Sequence, residues 1–229
     1  MHDKLTRRLL SAGLVAGPLV LAVGFAQAFL REGFSLVRNA SSQLALGELG
    51  WIQSLNFIVA GLLMTAFALG ARRALRGTPG GLWAPLLLGG FAVCHVLVGL
   101  YPTDPAFGFP PGPGTPAGIP AYDQASHHAA LHSLFGGLGF SMLAAACFVL
   151  AWHFGRRDRR WLAFSLLTGG VIIGIALYGG IWESHHTDPV VRATAHFNFL
   201  PMWATLPVVW GYLTGLAWKL LGTPPSGWR

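Results

Sequence analysis

Charge is what this chain has least of: only 10% of its 229 residues are Asp, Glu, Lys or Arg, whereas 53% are hydrophobic and the mean hydropathy is +0.55. Soluble domains carry roughly a quarter charged residues, so a water-facing globule is excluded and the bilayer is the expected solvent. Cysteine is almost missing as well. Cys94 and Cys147 fall at different depths of separate apolar runs, which argues against a disulfide and for small packing residues. The chain also lacks the GxSxG, HExxH, CxxC and phosphate-loop signatures, so no familiar catalytic motif announces a reaction.

What the chain has instead is long apolar stretches. A helix needs about 20 mostly apolar residues to span a bilayer, and six windows meet that length, at about 9–30, 51–71, 82–101, 127–153, 161–182 and 196–221. They are too long for strands and show no alternation, so the sequence predicts an all-α six-helix bundle forming a single domain over 1–229. The first 30 residues imitate a secretion signal with Ala26-Gln27-Ala28 as its cleavage site. The length of the apolar run reads better as a retained first helix.

The few charges are distributed unevenly. Twelve of the fifteen Lys and Arg residues lie before span 1, between spans 2 and 3, between spans 4 and 5, or in the tail, while Arg31, Arg38 and Arg192 lie on the other side. Retained loops carry the basic excess, which places both termini in the cytoplasm of a multi-pass cell-membrane protein. Six of eight carboxylates, Asp123 among them, fall on the outer side. With the basic residues split among short loops, the net charge of +7 is a topology signal and not a nucleic-acid surface; the expected partners are membrane lipids. Segment 31–50 is too polar to span and too apolar for an ordinary loop, and an amphipathic stretch at the outer interface fits it. Gln53 and Asn56 inside span 2 read as hydrogen-bonding glue to a neighbouring helix, and Gly136, Gly137, Gly139 and the Gly170/Gly174 pair as sites of close helix packing.

The connection between spans 3 and 4, residues 102–126, holds seven prolines and no Lys or Arg. Such a loop forms no regular structure, and its length suits a lid or binding loop. Two stretches resemble a known family, the bacterial and archaeal membrane proteins described as domain of unknown function 998. One is SQLALG at 42–47 with GWIQ at 50–53, then Asn56, Phe57 and Gly61. The other is Thr103-Asp104-Pro105, then GFPPG at 108–112, then His128 and Leu131-His132. The resemblance covers nearly the whole chain and implies a six-helix bundle without an assigned activity.

Seven of the nine histidines, His95, His127, His128, His132, His185, His186 and His196, fall at outer span ends or in outer loops. Ionisable groups in the apolar layer are functional suspects. His128 and His132 share a helix face, and Asp104 just past span 3 is placed to join them. That set suits zinc with an open position for water, hence a metal-dependent hydrolase of a lipid amide or ester; His95 and His196 are further candidate ligands. Three other readings remain open. The same imidazoles cap the proline-rich loop through Asp104 and its carbonyls, or the outer pocket belongs to a receptor or transporter for a small polar ligand or lipid headgroup, or His95 with His132 or His196 ligates haem. Ser41, Ser42 and Ser133 are available hydroxyls without an evident base, and Glu183 and Asp188 flank the His185-His186 pair.

Overall fold

A computed structural model describes residues 2–119, 124–155 and 157–223; Asp123, Arg156 and Arg229, used above to assign sides, lie outside the described residues. The elements in order are α1 (Lys4–Leu30), a 3₁₀ turn (Ser41–Ala45), α2 (Gly50–Ala74), α3 (Trp83–Leu100), α4 (His127–Phe154), α5 (Arg159–His185), the single turn α6 (Pro189–Arg192) and α7 (Leu200–Gly222). No strand forms among the described residues beyond an isolated bridge between Ala106 and Phe109. Five helices, α1 to α5, are long and apolar enough to cross a membrane. α7 is 23 residues long, and its two prolines, Pro201 and Pro207, together with Trp203 and Trp210 dilute its apolar content.

The helices close into a ring. α1 packs on α2, α2 on α3, α3 on α4, α4 on α5, α5 on α7, and α7 returns to α1. One end of the ring is fixed by side chains that also start helices. Asp3 caps α1 by accepting from the Thr6 amide at 2.7 Å and pairs with Arg73 at the end of α2 at 3.0 Å. Asp158 caps α5 and pairs with Lys219 of α7 at 2.7 Å, and that ammonium also lies 5.2 Å from the Phe154 and Trp161 rings. His2 meets the Leu220 carbonyl at 2.9 Å, and His153 meets that of Pro79 at 2.7 Å. The start of α1 and the ends of α2, α4 and α7 therefore share one end of the bundle.

Apolar burial falls into two clusters. The larger joins Met64, Phe67, Leu88, Leu143, Trp210 and Leu213 in the body of the ring, and the smaller joins Ala28, Leu44, Phe107, Phe197, Phe199 and Trp203 near the opposite end. Close approach within the ring depends on missing side chains. A Cβ at Gly61 would stand 2.8 Å from the Ala92 carbonyl oxygen of α3, and one at Gly139 would stand 2.9 Å from Cys94 Cβ. The expectation for Gly170 and Gly174 is corrected: a Cβ at either would meet nothing within 4 Å, as at Gly136 and Gly137. These glycines face open space because α5 is buried against its neighbours only at Ser165, Thr168, Gly169 and Ile172, in its first half.

The far end is covered by three segments sewn together through their backbones. Phe107 N–H donates to Gly118 O at 2.9 Å, Gly118 N–H to Ala193 O at 2.9 Å, and Phe199 N–H to Val37 O at 2.8 Å. Segment 31–50 is thus folded over the bundle as part of a cover. Gln43, Leu44 and Asn39 are buried, and Arg31 grips the Leu44 and Leu46 carbonyls at 2.7 Å each while its guanidinium lies 5.0 Å from the Phe109 ring.

The Thr6 amide, and then Arg73, hold the Asp3 carboxyl down from 3.8 to about 2. A depressed carboxylate stabilises the fold above its unfolded value, and that contribution fades as pH falls toward the folded one. Asp3→Asn should therefore lower the melting temperature at pH 7 and leave it unchanged near pH 2, read by thermal denaturation in detergent at both values.

Candidate functional site

Asp104 does not meet the histidines. Its Oδ2 accepts from the Ser126 amide at 2.7 Å and its Oδ1 from the Ser126 hydroxyl at 2.6 Å, while that same hydroxyl accepts from Ala129 N–H at 3.1 Å to cap α4. The residue before the helix thus captures the carboxylate that sequence spacing had assigned to His128 and His132. His132 turns to α3, its Nδ1 lying 2.7 Å from the Tyr101 carbonyl, and the His128 ring stands edge-on to Tyr101 at 5.5 Å. Two separate clasps therefore join the end of α3 to the start of α4, in place of one His/Asp cluster. Among the described residues no group of three or more His, Cys, Asp or Glu is arranged to hold a metal ion. The zinc set of Asp104, His128 and His132 is not assembled, so no chemistry is routed through zinc.

His95 and His196 separate likewise. His196 is exposed and offers its backbone carbonyl to Trp182 Nε1 at 3.1 Å. His95 is 8% exposed, boxed by the rings of Phe57, Phe91 and Trp210 with centroids 5.1, 5.4 and 5.2 Å away, and its Nε2 has no hydrogen-bond partner. The two histidines thus sit in different surroundings, His95 enclosed by aromatic rings and His196 exposed.

His95 lines a cavity of about 290 Å³ that lies between the two apolar clusters. Its walls come from α1 (Val20, Gly24), the 3₁₀ turn (Ser41, Ser42), α2 (Gln53), α3, α4 (His132, Ser133, Gly136) and α7 (Met202, Trp203, Leu206). Among the described residues, none of α5 and no Asp, Glu, Lys or Arg lines it. Gly24 is buried, yet a Cβ there would meet nothing within 4 Å, so its missing side chain is part of the space. On the α1–α2 side the wall is set by amides. Gln27 Nε2 donates to Gln53 Oε1 at 2.8 Å, and Asn56 Nδ2 donates to the same oxygen at 3.3 Å and to the Val20 carbonyl at 3.4 Å. The glue expected of Gln53 and Asn56 is present, and its partner Gln27 is the residue that had passed for part of a cleavage site; α1 runs through it unbroken.

A second cavity of about 330 Å³ lies under the cover and shares Ala40, Ser42 and Ser133 with the first. Its lining is mainly apolar but carries the polar and charged side chains of Gln43, Asp104, Glu183 and Arg192. Arg192 is 1% exposed; its guanidinium pairs with Glu183 at 2.9 Å and donates to the His186 carbonyl at 3.2 Å. The sequence offered no signal for it beyond a lone basic residue in an outer connection, because burial there depends on α6 folding back beneath the loop. Gln43 Nε2 donates to Ala106 O at 2.6 Å and Asn39 Nδ2 to Phe107 O at 3.3 Å, which ties the proline-rich segment to the 3₁₀ turn. Asn39 is fully buried, so its place in an Asn-Ala-Ser triplet makes no accessible glycan acceptor.

If the two clasps act apart, a double-mutant cycle separates them. Asp104→Ala with Ser126→Ala should show a coupling of about 1 kcal/mol, whereas Asp104→Ala with His132→Phe should add within about 0.5 kcal/mol. Chemical denaturation in mixed micelles reads both.

No curated protein and no solved structure matches the chain. A family model does match, over residues 14–222, and takes in α2 to α7, most of α1, the cover and both cavities. The chain therefore belongs to the family described as "Protein of unknown function (DUF998)".

Proposed function

We propose that this is a six-span membrane receptor or carrier that binds an amphiphilic molecule in the outer half of its helix ring. The observation that carries the reading is a mostly apolar cavity, with no Asp, Glu, Lys or Arg among its described lining residues, that adjoins through Ala40, Ser42 and Ser133 a second cavity whose lining includes the Glu183–Arg192 pair. Ligand sites are concave, mainly apolar, and carry a few placed polar groups. A catalytic reading has less support. Ser41, Ser42 and Ser133 line the lower cavity, but no described imidazole is hydrogen-bonded to any of them, so no nucleophile and base are paired.

The sixth span is α7. At 1.5 Å per residue its 23 residues reach about 34 Å, enough for a hydrocarbon core of about 30 Å, and its position between α5 and α1 closes the ring. The end of the bundle that carries Arg73, Arg157, Arg159 and Lys219 is the cytoplasmic end by the basic-residue rule. The cover over the cavities then faces outward. A phosphatase inserted after Gly114 should be active and one inserted after Arg76 inactive; the reverse pattern overturns the orientation.

Native mass spectrometry of the purified protein should show one tightly held lipid-type molecule. Gly24→Leu, which fills the lower cavity, should remove it while holding or raising the melting temperature. Gly211→Leu, on the exposed side of α7, should leave it in place. Retention of the molecule in Gly24→Leu contradicts the site.

A further inference from the structure

The ring contains six long helices, yet five of them line the lower cavity, and the one that does not is α5. Beyond Ile172, α5 has no buried residue: Ile173, Leu177 and Ile181 are 43, 60 and 60% exposed, and a Cβ at Gly174, Gly179 or Gly180 would meet nothing within 4 Å. Its outer half leans instead toward the chain entering α7. The Tyr178 ring lies tilted against Phe197 at 4.9 Å and the Trp182 ring edge-on to it at 5.3 Å, and the two donate to the carbonyls of Asn198 and His196. On the facing side α4 shows Ser133, Leu134, Gly137 and Leu138 exposed, and Ser133 and Gly137 are also cavity wall. The outer halves of α4 and α5 thus part at bilayer depth, and the gap leads to the cavity.

At the floor stands His95. A neutral imidazole has one donor and one acceptor, and leaving a buried polar atom unpaired is costly. A trapped water would need roughly two to four polar partners, and three aromatic rings surround this imidazole. The described residues lining the cavity include no charged side chain to balance a charged group at this depth, where an unpaired charge is costly. Resting on the amphiphile-binding reading above, we propose that the lower cavity is filled from the side, through the gap between the outer halves of α4 and α5. The ligand is a bilayer-dissolved lipid with a small uncharged oxygen-bearing head, and that head comes to rest against the imidazole of His95, which lines the cavity. The tail stays in the gap, where its surroundings are Leu134, Leu138 and the neighbouring hydrocarbon. Prenols, fatty alcohols and quinones share this chemistry.

The test uses the full chain in phosphatidylcholine nanodiscs, with farnesol, dodecanol and a decyl-substituted quinone as neutral probes and dodecylamine and dodecyl phosphate as charged ones. Binding is followed by tryptophan fluorescence and native mass spectrometry. At least one neutral probe should bind one per chain, and the charged probes should bind at least tenfold more weakly. His95→Phe keeps the ring volume and removes both nitrogens; it should weaken neutral-probe binding by about tenfold, the loss of one buried hydrogen bond. His95→Gln should recover part of the affinity, which separates a hydrogen bond from a packing defect. Gly137→Trp, placed in the open wall, should slow association while the melting temperature holds. Saturable neutral-probe binding that ignores both His95→Phe and Gly137→Trp overturns the side-loading inference and leaves the amphiphile site standing, and so does equal binding of charged probes. No binding by any probe, with protein that purifies free of lipid, overturns both.

Discussion

Inside hydrocarbon a polar group has no water to turn to, and almost every feature of this structure follows from how such groups find one another. Gln27, Gln53 and Asn56 share one oxygen between two helices. His132 spans from α4 to the last carbonyl of α3, and Asp104 is held by the residue that starts α4. Arg192, nearly inaccessible, is kept by Glu183 and the His186 carbonyl. Such pairings contribute little net stability once desolvation is counted, but breaking one side is expensive. They fix geometry. His95 departs from this, an imidazole inside an aromatic box with one nitrogen unmatched, as do the side-chain oxygens of Gln27, Asn56 and Thr214.

The same constraint explains why the ring is tight at one end and open at the other. Near the charged end, Asp3–Arg73 and Asp158–Lys219 tie helix starts to helix ends, and the large apolar cluster fills the interior. Toward the cover, α5 moves off α4 and is secured by Tyr178 and Trp182 to the carbonyls before α7. What remains between is space. The cover closes it from above with three segments whose backbone groups satisfy each other, so the way left unsealed is sideways, where α4 exposes Gly137 and Leu138.

Much of this was readable in the residues, and the exceptions have causes. The five membrane-length helices α1 to α5 followed from run length, and α7 begins at Leu200, four residues later than the sixth apolar window, where Asn198 accepts from the Leu200 amide and the preceding phenylalanines belong to the cover. The amide glue was legible because a Gln and an Asn in a span have few alternatives to a neighbouring helix. The histidine site was not. Helical spacing put His128 and His132 on one face, but it could not say that Ser126 would take Asp104 first, nor that His132 would select a carbonyl. Glycine patterns were ambiguous for a related reason: Gly139 marks contact and Gly24, Gly136 and Gly174 mark space, and only the placement of the facing helix distinguishes them.

The most direct measurement is a cryo-electron microscopy map of the protein in lipid nanodiscs at side-chain resolution. Elongated density running from the surrounding bilayer between the outer halves of α4 and α5 and ending beside the His95 ring is the predicted result. A map in which α5 lies along the full length of α4, with Gly170 and Gly174 in contact and the lower cavity sealed, contradicts it.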